Sequence, residues 1–501
     1  MPMKNTSYSL LFFLFIVISA YGQKVFRVYE NRTYQTIKSF GASDAWSNDV
    51  LKKLSVEKRQ DIADLLFSMD TNSNGSFKGI GLSLWRFNLG AGSAEQGDSS
   101  RISWYRRRTE SFMNSDGSYN WNKQSGHLWM LNAAKKYGVN DLVMFINSPH
   151  VLFTKNGKAF GNKKSKNSNL KNDKFDDFAG YIARSLEHFD STGLHFSYIS
   201  PVNEPQWNWS QKEGQEGSPY LNNEISKLVR SLDAKLSEKK LSTKILITES
   251  GTLFCLNSDI RVRPGRQNQI KNFFNKHHKN YVGDLPSVAR IISGHSYWTV
   301  WPLWWSRLVR NNLRKNAAKY GLDFWMSEYC VLENYRELKD AGKEYDIRVG
   351  NIVSGLIYHD LVFGNAVSWQ WWTAIEGGDA RFSLVNCNGE DARITTTKTL
   401  WIIGNYSRFI RPGSVRIAVN GRKNKKLFVS AFLNKNELIV VVVNKSDQDR
   451  SIKLKGMAVE GFFRAYETSE NRNLENIGSF TSDKPLPVAK RSTTTFVMGR
   501  K

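Results

Sequence analysis

The chain has 501 residues, with 71 Lys and Arg against 46 Asp and Glu, and a formal net charge of +25. That length exceeds a typical single domain and suits one barrel of about 250 to 400 residues with a smaller module beside it. Three widely separated cysteines, Cys255, Cys330 and Cys387, exclude a disulfide framework and leave room for one bridge at most, with Cys330 expected as a buried thiol.

Residues 1–22 read as a secretory signal: Lys4 supplies positive charge, 10–20 is an apolar run, and Ala20-Tyr21-Gly22 is a small-x-small cleavage site. That run is too short to span a bilayer, and no later stretch is long and apolar enough. A secreted protein, extracellular or periplasmic, without a membrane span and monomeric, is the expectation. Residues 23–33 form a strand that precedes the barrel and joins the β-module at the other end of the chain.

Eight short apolar or β-branched runs follow, at 34–42, 83–90, 141–148, 196–202, 244–250, 290–297, 323–329 and 366–372. Between most of them lie stretches with apolar residues at three and four spacing, such as 126–137, 175–189, 224–238 and 348–363. Strand alternating with helix eight times predicts a (β/α)8 barrel over 34–409. After about Ile410 the pattern changes to short strands broken by turns, at 414–419, 426–433, 437–443, 451–454, 461–466 and 493–498, with Asn420-Gly421 as a hairpin signal. This predicts a side β-sandwich over 410–501, completed by the N-terminal strand.

In such a barrel the C-terminal strand ends carry the active site, and here they are polar and aromatic where core packing would make them apolar. Asp44 and Trp46 follow the first strand, Arg86 lies in the second, and His150 follows the third. Asn203 and Glu204 end the fourth, with Trp209 beyond; Glu249 ends the fifth, His295 and Tyr297 the sixth, Glu328 the seventh, and Trp371 and Trp372 the eighth. Glu204 and Glu328 make a carboxylate pair. Cleaving a glycosidic bond with retention needs one carboxylic acid to protonate the leaving oxygen and one carboxylate to attack the anomeric carbon, roughly 5 Å apart.

Other readings of these residues stand beside that one. Glu249 is a rival to the chosen pair. Arg86 pairs with a buried carboxylate in a purely structural reading, and His150 is equally a capped loop histidine. Trp371 and Trp372 alternate across a strand, so only one need touch sugar. Metal, cofactor and serine chemistry lack their signatures: there is no His-Glu-x-x-His, Cys-x-x-Cys, Gly-x-Ser-x-Gly, Gly-x-Gly-x-x-Gly or Walker A spacing. No cofactor or metal is expected. The rival class of function is a carbohydrate-binding barrel that has lost catalysis, against which both glutamates count.

The charge is uneven, with seven lysines between Thr154 and Lys174 and a cluster at Arg106, Arg107 and Arg108. A solvated surface explains such runs; so does a polyanionic partner. Without helix-turn-helix or zinc-finger spacing nucleic acid is not expected, and an acidic polysaccharide is the preferred polyanion.

At these residues the sequence resembles glycoside hydrolase family 30, a clan A family of retaining enzymes. The resemblance is carried by Ser39-Phe-Gly-Ala-Ser-Asp44, Arg86-Phe-Asn-Leu-Gly90, Ser148-Pro149, Ser200-Pro-Val-Asn-Glu-Pro205, Trp325-Met-Ser-Glu-Tyr329, Ser368-Trp-Gln-Trp-Trp372 and Phe409-Ile-Arg-Pro-Gly413. It implies a barrel with a side β-sandwich built from both chain ends, Glu204 as acid/base, Glu328 as nucleophile, Asn203 on the sugar 2-hydroxyl, and Asp44, Arg86, Tyr297 and Trp372 lining or supporting the subsites. Asn203-Glu-Pro-Gln-Trp-Asn-Trp209, Gln215-Glu-Gly217 and Trp369-Gln-Trp-Trp372 look most like the endo-β-1,6-galactanase-like branch. Other members act on β-1,6-glucan, xylan, glucosylceramide and fucosides. One departure is His150, where many members carry tryptophan after Ser-Pro.

Overall fold

Strand β1 (Lys24–Thr36) opens the structure, a computed structural model that describes residues 24–164, 166–258, 263–333, 335, 338, 346–378, 382–388, 393–421 and 425–500. The expected signal sequence, 1–22, lies outside the described residues. Strand β1 runs three residues beyond the expected end of the N-terminal strand, and the barrel proper begins at Ser39.

Eight parallel strands close the barrel in sequence order: β2 (Ser39–Ser43), β3 (Leu84–Asn88), β4 (Asp141–Phe145), β5 (Tyr198–Ser200), β6 (Lys244–Ser250), β7 (Val288–His295), β8 (Asp323–Glu328) and β9 (Ala366–Trp371). All eight expected runs are strands, several trimmed at the ends. β2 pairs with β9 to complete the ring. Side chains alternate across a strand, so each strand feeds two cores. Leu84, Val143, Leu246, Ile291, Trp325 and Val367 plug the lower interior, with Tyr198 edge-on to Trp325 at 4.9 Å. Arg86, two residues beyond Leu84, faces the same interior nearer its C-terminal mouth. Neighbours of opposite parity, such as Trp85, Phe87, Phe324 and Met326, pack outward under the helices.

The helix Phe175–Ser191 shows why those covers form. Phe175, Phe178, Ala179, Ile182, Leu186 and Phe189 recur at three and four spacing and are buried, while Asp176 and Asp177 in the first turn complement the helix dipole. Two helices, Ile347–Val362 and Lys398–Ser407, do a second job by lying between barrel and side module.

A small sheet of β10 (Ile375–Gly377), β11 (Val385–Asn388) and β12 (Arg393–Thr396) caps the barrel after β9; the sequence reading missed it. The remaining strands are β13 (Val415–Gly421), β14 (Leu427–Leu433), β15 (Glu437–Asn444), β16 (Arg450–Lys455), β17 (Phe462–Thr468), β18 (Glu475–Thr481), β19 (Leu486–Val488) and β20 (Ser492–Gly499). With β1 they form one nine-stranded sheet in the order β18-β17-β20-β15-β14-β13-β1-β16-β19. β1 pairs antiparallel with β13 and parallel with β16, so both chain ends build the module.

The apolar face of this sheet closes on itself, because Phe463 of β17 and Leu486 of β19, near opposite ends of the strand order, share one core. β15 is two-sided: Leu438, Val440 and Val442 enter that core, while Ile439 and Val441 enter the core shared with the barrel. Polar contacts fasten the same seam. Thr495 donates to the Asn405 carbonyl at 2.7 Å, Asn405 to the Tyr466 carbonyl at 3.1 Å, and Thr493 meets Ser354 at 2.7 Å.

A chain truncated after Ile410 leaves β1 with neither neighbour and bares the module-facing sides of both seam helices. Such an unpaired edge beside an apolar surface promotes aggregation, and the truncated protein is expected to be insoluble. Comparing soluble yield and activity with the full chain checks this; a soluble, active truncation would show the barrel to be independent.

Candidate active site

The C-terminal ends of five barrel strands meet around a buried cluster of charge. Arg86 of β3 donates to Glu328 at 2.6 Å, to Asn203 at 3.1 Å and to Glu249 at 3.2 Å. His295 of β7 lies 2.8 Å from Glu204 through Nδ1 and 3.0 Å from Glu249 through Nε2, and its Nδ1 is 3.4 Å from Glu328. Tyr297 donates to Glu328 at 3.2 Å. One carboxylate oxygen of Glu204, one of Glu328 and a ring nitrogen of His295 all lie within 4.8 Å of one another.

Environment separates the three carboxyls. Burial raises the pKa of Glu204, with the Glu328 charge adding and the His295 contact opposing. Desolvation is the larger of the two raising causes. Burial acts to raise Glu249 too, but the charges of Arg86 and His295 outweigh it and hold that carboxyl at about 2. For His295 burial favours the neutral ring, and the opposing carboxylates Glu328, Glu204 and Glu249 carry it up to about 10. Each ring nitrogen faces a carboxylate oxygen and is placed to donate to it. Arg86 and His295 thus stand as two buried basic groups among three carboxyls, with Glu204 the one whose pKa burial raises.

Backbone strain marks the same place. Trp46, Glu204, Trp209, Glu249 and Trp298 all have φ between 44 and 67°, a region that bulky side chains rarely adopt and that persists where the surroundings enforce it. The amide of Glu204 donates to the Glu249 carbonyl at 2.8 Å and Trp209 Nε1 to the Glu204 carbonyl at 3.0 Å, which fixes the turn.

Above the cluster opens a cleft of about 660 Å³, lined by Trp46, Asn203, Glu204, Trp209, Tyr297, Glu328 and Trp372 among the expected residues. Asp44, Arg86, Glu249 and His295 lie beneath it, 0 to 1% exposed. Glu249, the rival in the sequence, is thus a buried supporting carboxylate rather than a cleft group. Asp44 accepts from the Asn88 amide at 2.9 Å and ties β2 to β3.

Two expectations fail. His150 does not reach the cleft: its Nδ1 accepts from the Leu152 amide at 3.3 Å, capping the short turn Val151–Phe153, and its ring packs on Tyr181. Trp371 turns away as well, donating to the Phe382 carbonyl at 3.0 Å and packing on Trp369, because it has the opposite parity to Trp372. The three cysteines are free and buried; Cys330 also borders the cleft beside Tyr297.

Sequence reasoning missed how arginines build into the cleft walls. Arg107 sits between the rings of Trp46 at 4.3 Å and Trp104 at 4.7 Å, and Arg263 lies 5.0 Å over Trp207. Both arginines line the cleft, as do Trp298 and Phe382. The Arg106–Arg108 cluster was visible as charge, but its position depends on a long loop between β3 and β4 that carries no periodic signal. Asn208, also in the wall, donates to the Lys163 carbonyl at 2.9 Å, so the lysine-rich segment borders the cleft rim.

An eight-stranded parallel barrel with paired carboxylates at the C-terminal mouth has the form of a barrel glycosidase. Residues 23–386 match the family model described as O-Glycosyl hydrolase family 30, and 413–496 match the glycosyl hydrolase family 30 beta sandwich domain. The chain belongs to glycoside hydrolase family 30. It is 24% identical over 395 residues to an endo-beta-1,6-galactanase of Hypocrea rufa, covering 75% of this chain and 73% of that one. A glucuronoxylanase of Bacillus subtilis is 27% identical over 187 residues, 36% of this chain and 40% of that one. The solved structure of a conserved exported protein from Bacteroides fragilis superposes with a TM-score of 0.89 at 33% identity, covering 95% of this chain and 100% of that one.

The charge cluster has a stability consequence with a definite sign. His295 is raised on folding, so its contribution is complete below the free-imidazole value of 6.5 and is lost as pH climbs through about 10. Glu249 is lowered, so its contribution exists above 4.5 and is lost as pH falls through about 2. His295→Asn leaves buried carboxylates facing each other and is expected to cost about 3 to 5 kcal/mol at pH 6. That deficit should shrink toward pH 10 in denaturant titrations. A deficit independent of pH would mean the ring is not charged.

Proposed function

We propose that this family 30 protein is a retaining β-glycosidase of polysaccharides, with Glu328 as nucleophile and Glu204 as acid/base. The observation that carries this reading is the carboxylate separation, within 4.8 Å, which suits direct attack on the anomeric carbon and leaves no room for the water that inversion requires. Glu328 attacks while Glu204, whose pKa burial raises, protonates the departing oxygen. Glu204 then takes a proton from the water that releases the glycosyl ester. Asn203 gives its amide oxygen to Arg86, which leaves its NH2 to donate to the sugar 2-hydroxyl. Trp46 and Trp372, edge to face at 5.0 Å, form an apolar wall for the ring.

Glu328→Gln is expected to abolish turnover of every β-glycoside. Glu204→Gln should lose about 10²- to 10⁴-fold on substrates with poor leaving groups and far less on activated aryl glycosides. Proton NMR of the first-formed product should show the β-anomer. Equal activity in both variants, or an α-anomer, overturns the assignment.

The leader at 1–22 and the polysaccharide reading together support a secreted enzyme. The linkage is set by loops, and the relatives divide between β-1,6-galactan and glucuronoxylan. The curated matches to an endo-beta-1,6-galactanase and to a glucuronoxylanase support either polymer, so another family 30 activity stands ahead of a specific endo-β-1,6-galactanase reading. A reducing-sugar assay on β-1,6-galactan, β-1,6-glucan and xylan reads the choice directly.

An acidic side group on that polymer is supported by the cleft wall. Arg107 is wedged between two indoles, with burial lowering its pKa and Glu376 only partly opposing. Lys163, Lys164 and Lys166 stand exposed just beyond Asn208. kcat/KM on a glucuronate-bearing polymer should then fall as salt rises, since screening shortens to about 8 Å at physiological ionic strength. Replacing the three lysines by Ser should mimic high salt on that polymer while sparing a neutral aryl glycoside. If both substrates respond alike, the lysines are a solvated loop.

A further inference from the structure

Beyond the cleft, the segment joining β7 to the helix Leu303–Lys319 carries an unusual surface. Trp298 lines the cleft, and three tryptophans in this region, Trp298, Trp301 and Trp304, are 60, 77 and 67% exposed. Most proteins cover such rings, and an exposed apolar patch of this kind marks a binding surface. The backbone beneath is held firmly. Trp298 donates its amide to Glu333 at 3.0 Å and accepts from Trp305 Nε1 at 3.3 Å, while Arg310 donates to the Thr299 carbonyl at 2.7 Å.

The strip ends at a second groove, of about 590 Å³. Its apolar lining is Phe254, Trp305, Leu308 and Val309, and its polar lining includes Asn257, Asn312 and Lys315. Trp305 joins the two places, since it packs on Trp304 at 6.1 Å and on Phe254 at 5.7 Å and bonds to Trp298. Flat apolar faces beside amide and ammonium donors suit a pyranose, whose axial C–H faces are apolar and whose rim is hydroxyl. The helix Leu303–Lys319 has no Asp or Glu, so nothing on it repels a neutral or acidic sugar.

We propose that Trp301, Trp304 and the groove over Trp305 are a secondary binding site for a distal stretch of the same β-linked glycan chain that enters the cleft. The inference rests on the glycosidase reading above and extends it to polymer capture. Continuity from Trp298 in the cleft wall to Trp305 in the groove lining favours a glycan over a bilayer, which would meet the exposed rings without involving the cleft. Holding the chain at two places raises its effective concentration at the carboxylates, a gain that a short substrate does not share.

The test is the double variant Trp301→Ala/Trp304→Ala, whose side chains are exposed and whose loss leaves the loop's backbone bonds in place. Wild type and variant are assayed on p-nitrophenyl β-glycosides and on β-1,6-galactan, β-1,6-glucan and glucuronoxylan. Retardation in gels containing the cleaved polymer is measured in a Glu328→Gln background. The expected result is a loss of roughly tenfold in kcat/KM on the polymer, weaker retardation, and unchanged turnover of the aryl glycoside. Equal activity and retardation on polymer overturns the secondary site and leaves the glycosidase reading standing. Equal losses on aryl glycoside and polymer also overturn it, by placing the effect in the cleft. Sedimentation with phosphatidylglycerol vesicles that the variant abolishes, with polymer turnover intact, would replace the glycan by a membrane surface. A wild type that turns over none of these substrates removes the glycosidase reading and the secondary site with it.

Discussion

The mouth of the barrel is organised by two buried cations, Arg86 and His295, set among three carboxyls. Each ion taken from water costs several kcal/mol, recovered only when every partner is in place. Arg86 links β3 to the turn after β5, to β6 and to β8, and His295 links β7 to the same three elements, through Glu204 rather than Asn203 in that turn. These contacts demand that five strand ends keep their relative register. The apolar plug below supplies that constancy, with Leu84 and Trp325 fixing the heights at which Arg86 and Glu328 emerge. The side module serves it too, by clamping the two helices that follow β8 and β9.

The cluster also differentiates chemically similar groups. Glu204 touches only one of the cations, through His295, and burial dominates its titration. Glu249 touches both and is held anionic. Glu328 receives Arg86 and Tyr297 as donors and faces the cleft. One carboxyl whose pKa burial raises, one fixed as a counter-ion, and one facing the cleft follow from where each strand ends rather than from residue type. The left-handed backbone at Glu204 and Glu249 is the strain that accompanies this placement.

Much of this was legible in the chain. Alternating apolar runs located all eight barrel strands because a buried parallel strand must be apolar on both faces, and polar residues at their ends stood out against that background. Period-two alternation also separated Trp372 from Trp371 in principle, though not which one would face the cleft. What stayed hidden depended on pairing across long separations. Glu249 could not be demoted until Arg86 and His295 were seen to enclose it. His150 looked like a site residue because it follows a strand, whereas the cap it makes uses a neighbour two residues away. The small sheet β10–β12 was missed because its strands are of three and four residues, too short for periodicity to register.

Reaction and specificity are consequently written in different parts of the molecule. The cleft carboxyls of Glu204 and Glu328 and the basic groups beneath them sit on strands or in the first turn beyond one, where a shift of one residue inverts the side chain's face. The walls come from loops: Arg107 from the β3–β4 connection, Asn208 and Trp209 from beyond β5, Arg263 from beyond β6, Trp298 from beyond β7. Loops accept insertion and replacement at little thermodynamic cost, so proteins sharing this barrel can keep one chemistry while taking different polymers. That is why family membership fixes the scaffold firmly and the linkage poorly, and why the arginines and tryptophans of the walls, rather than the glutamates of the floor, are the residues to read for substrate.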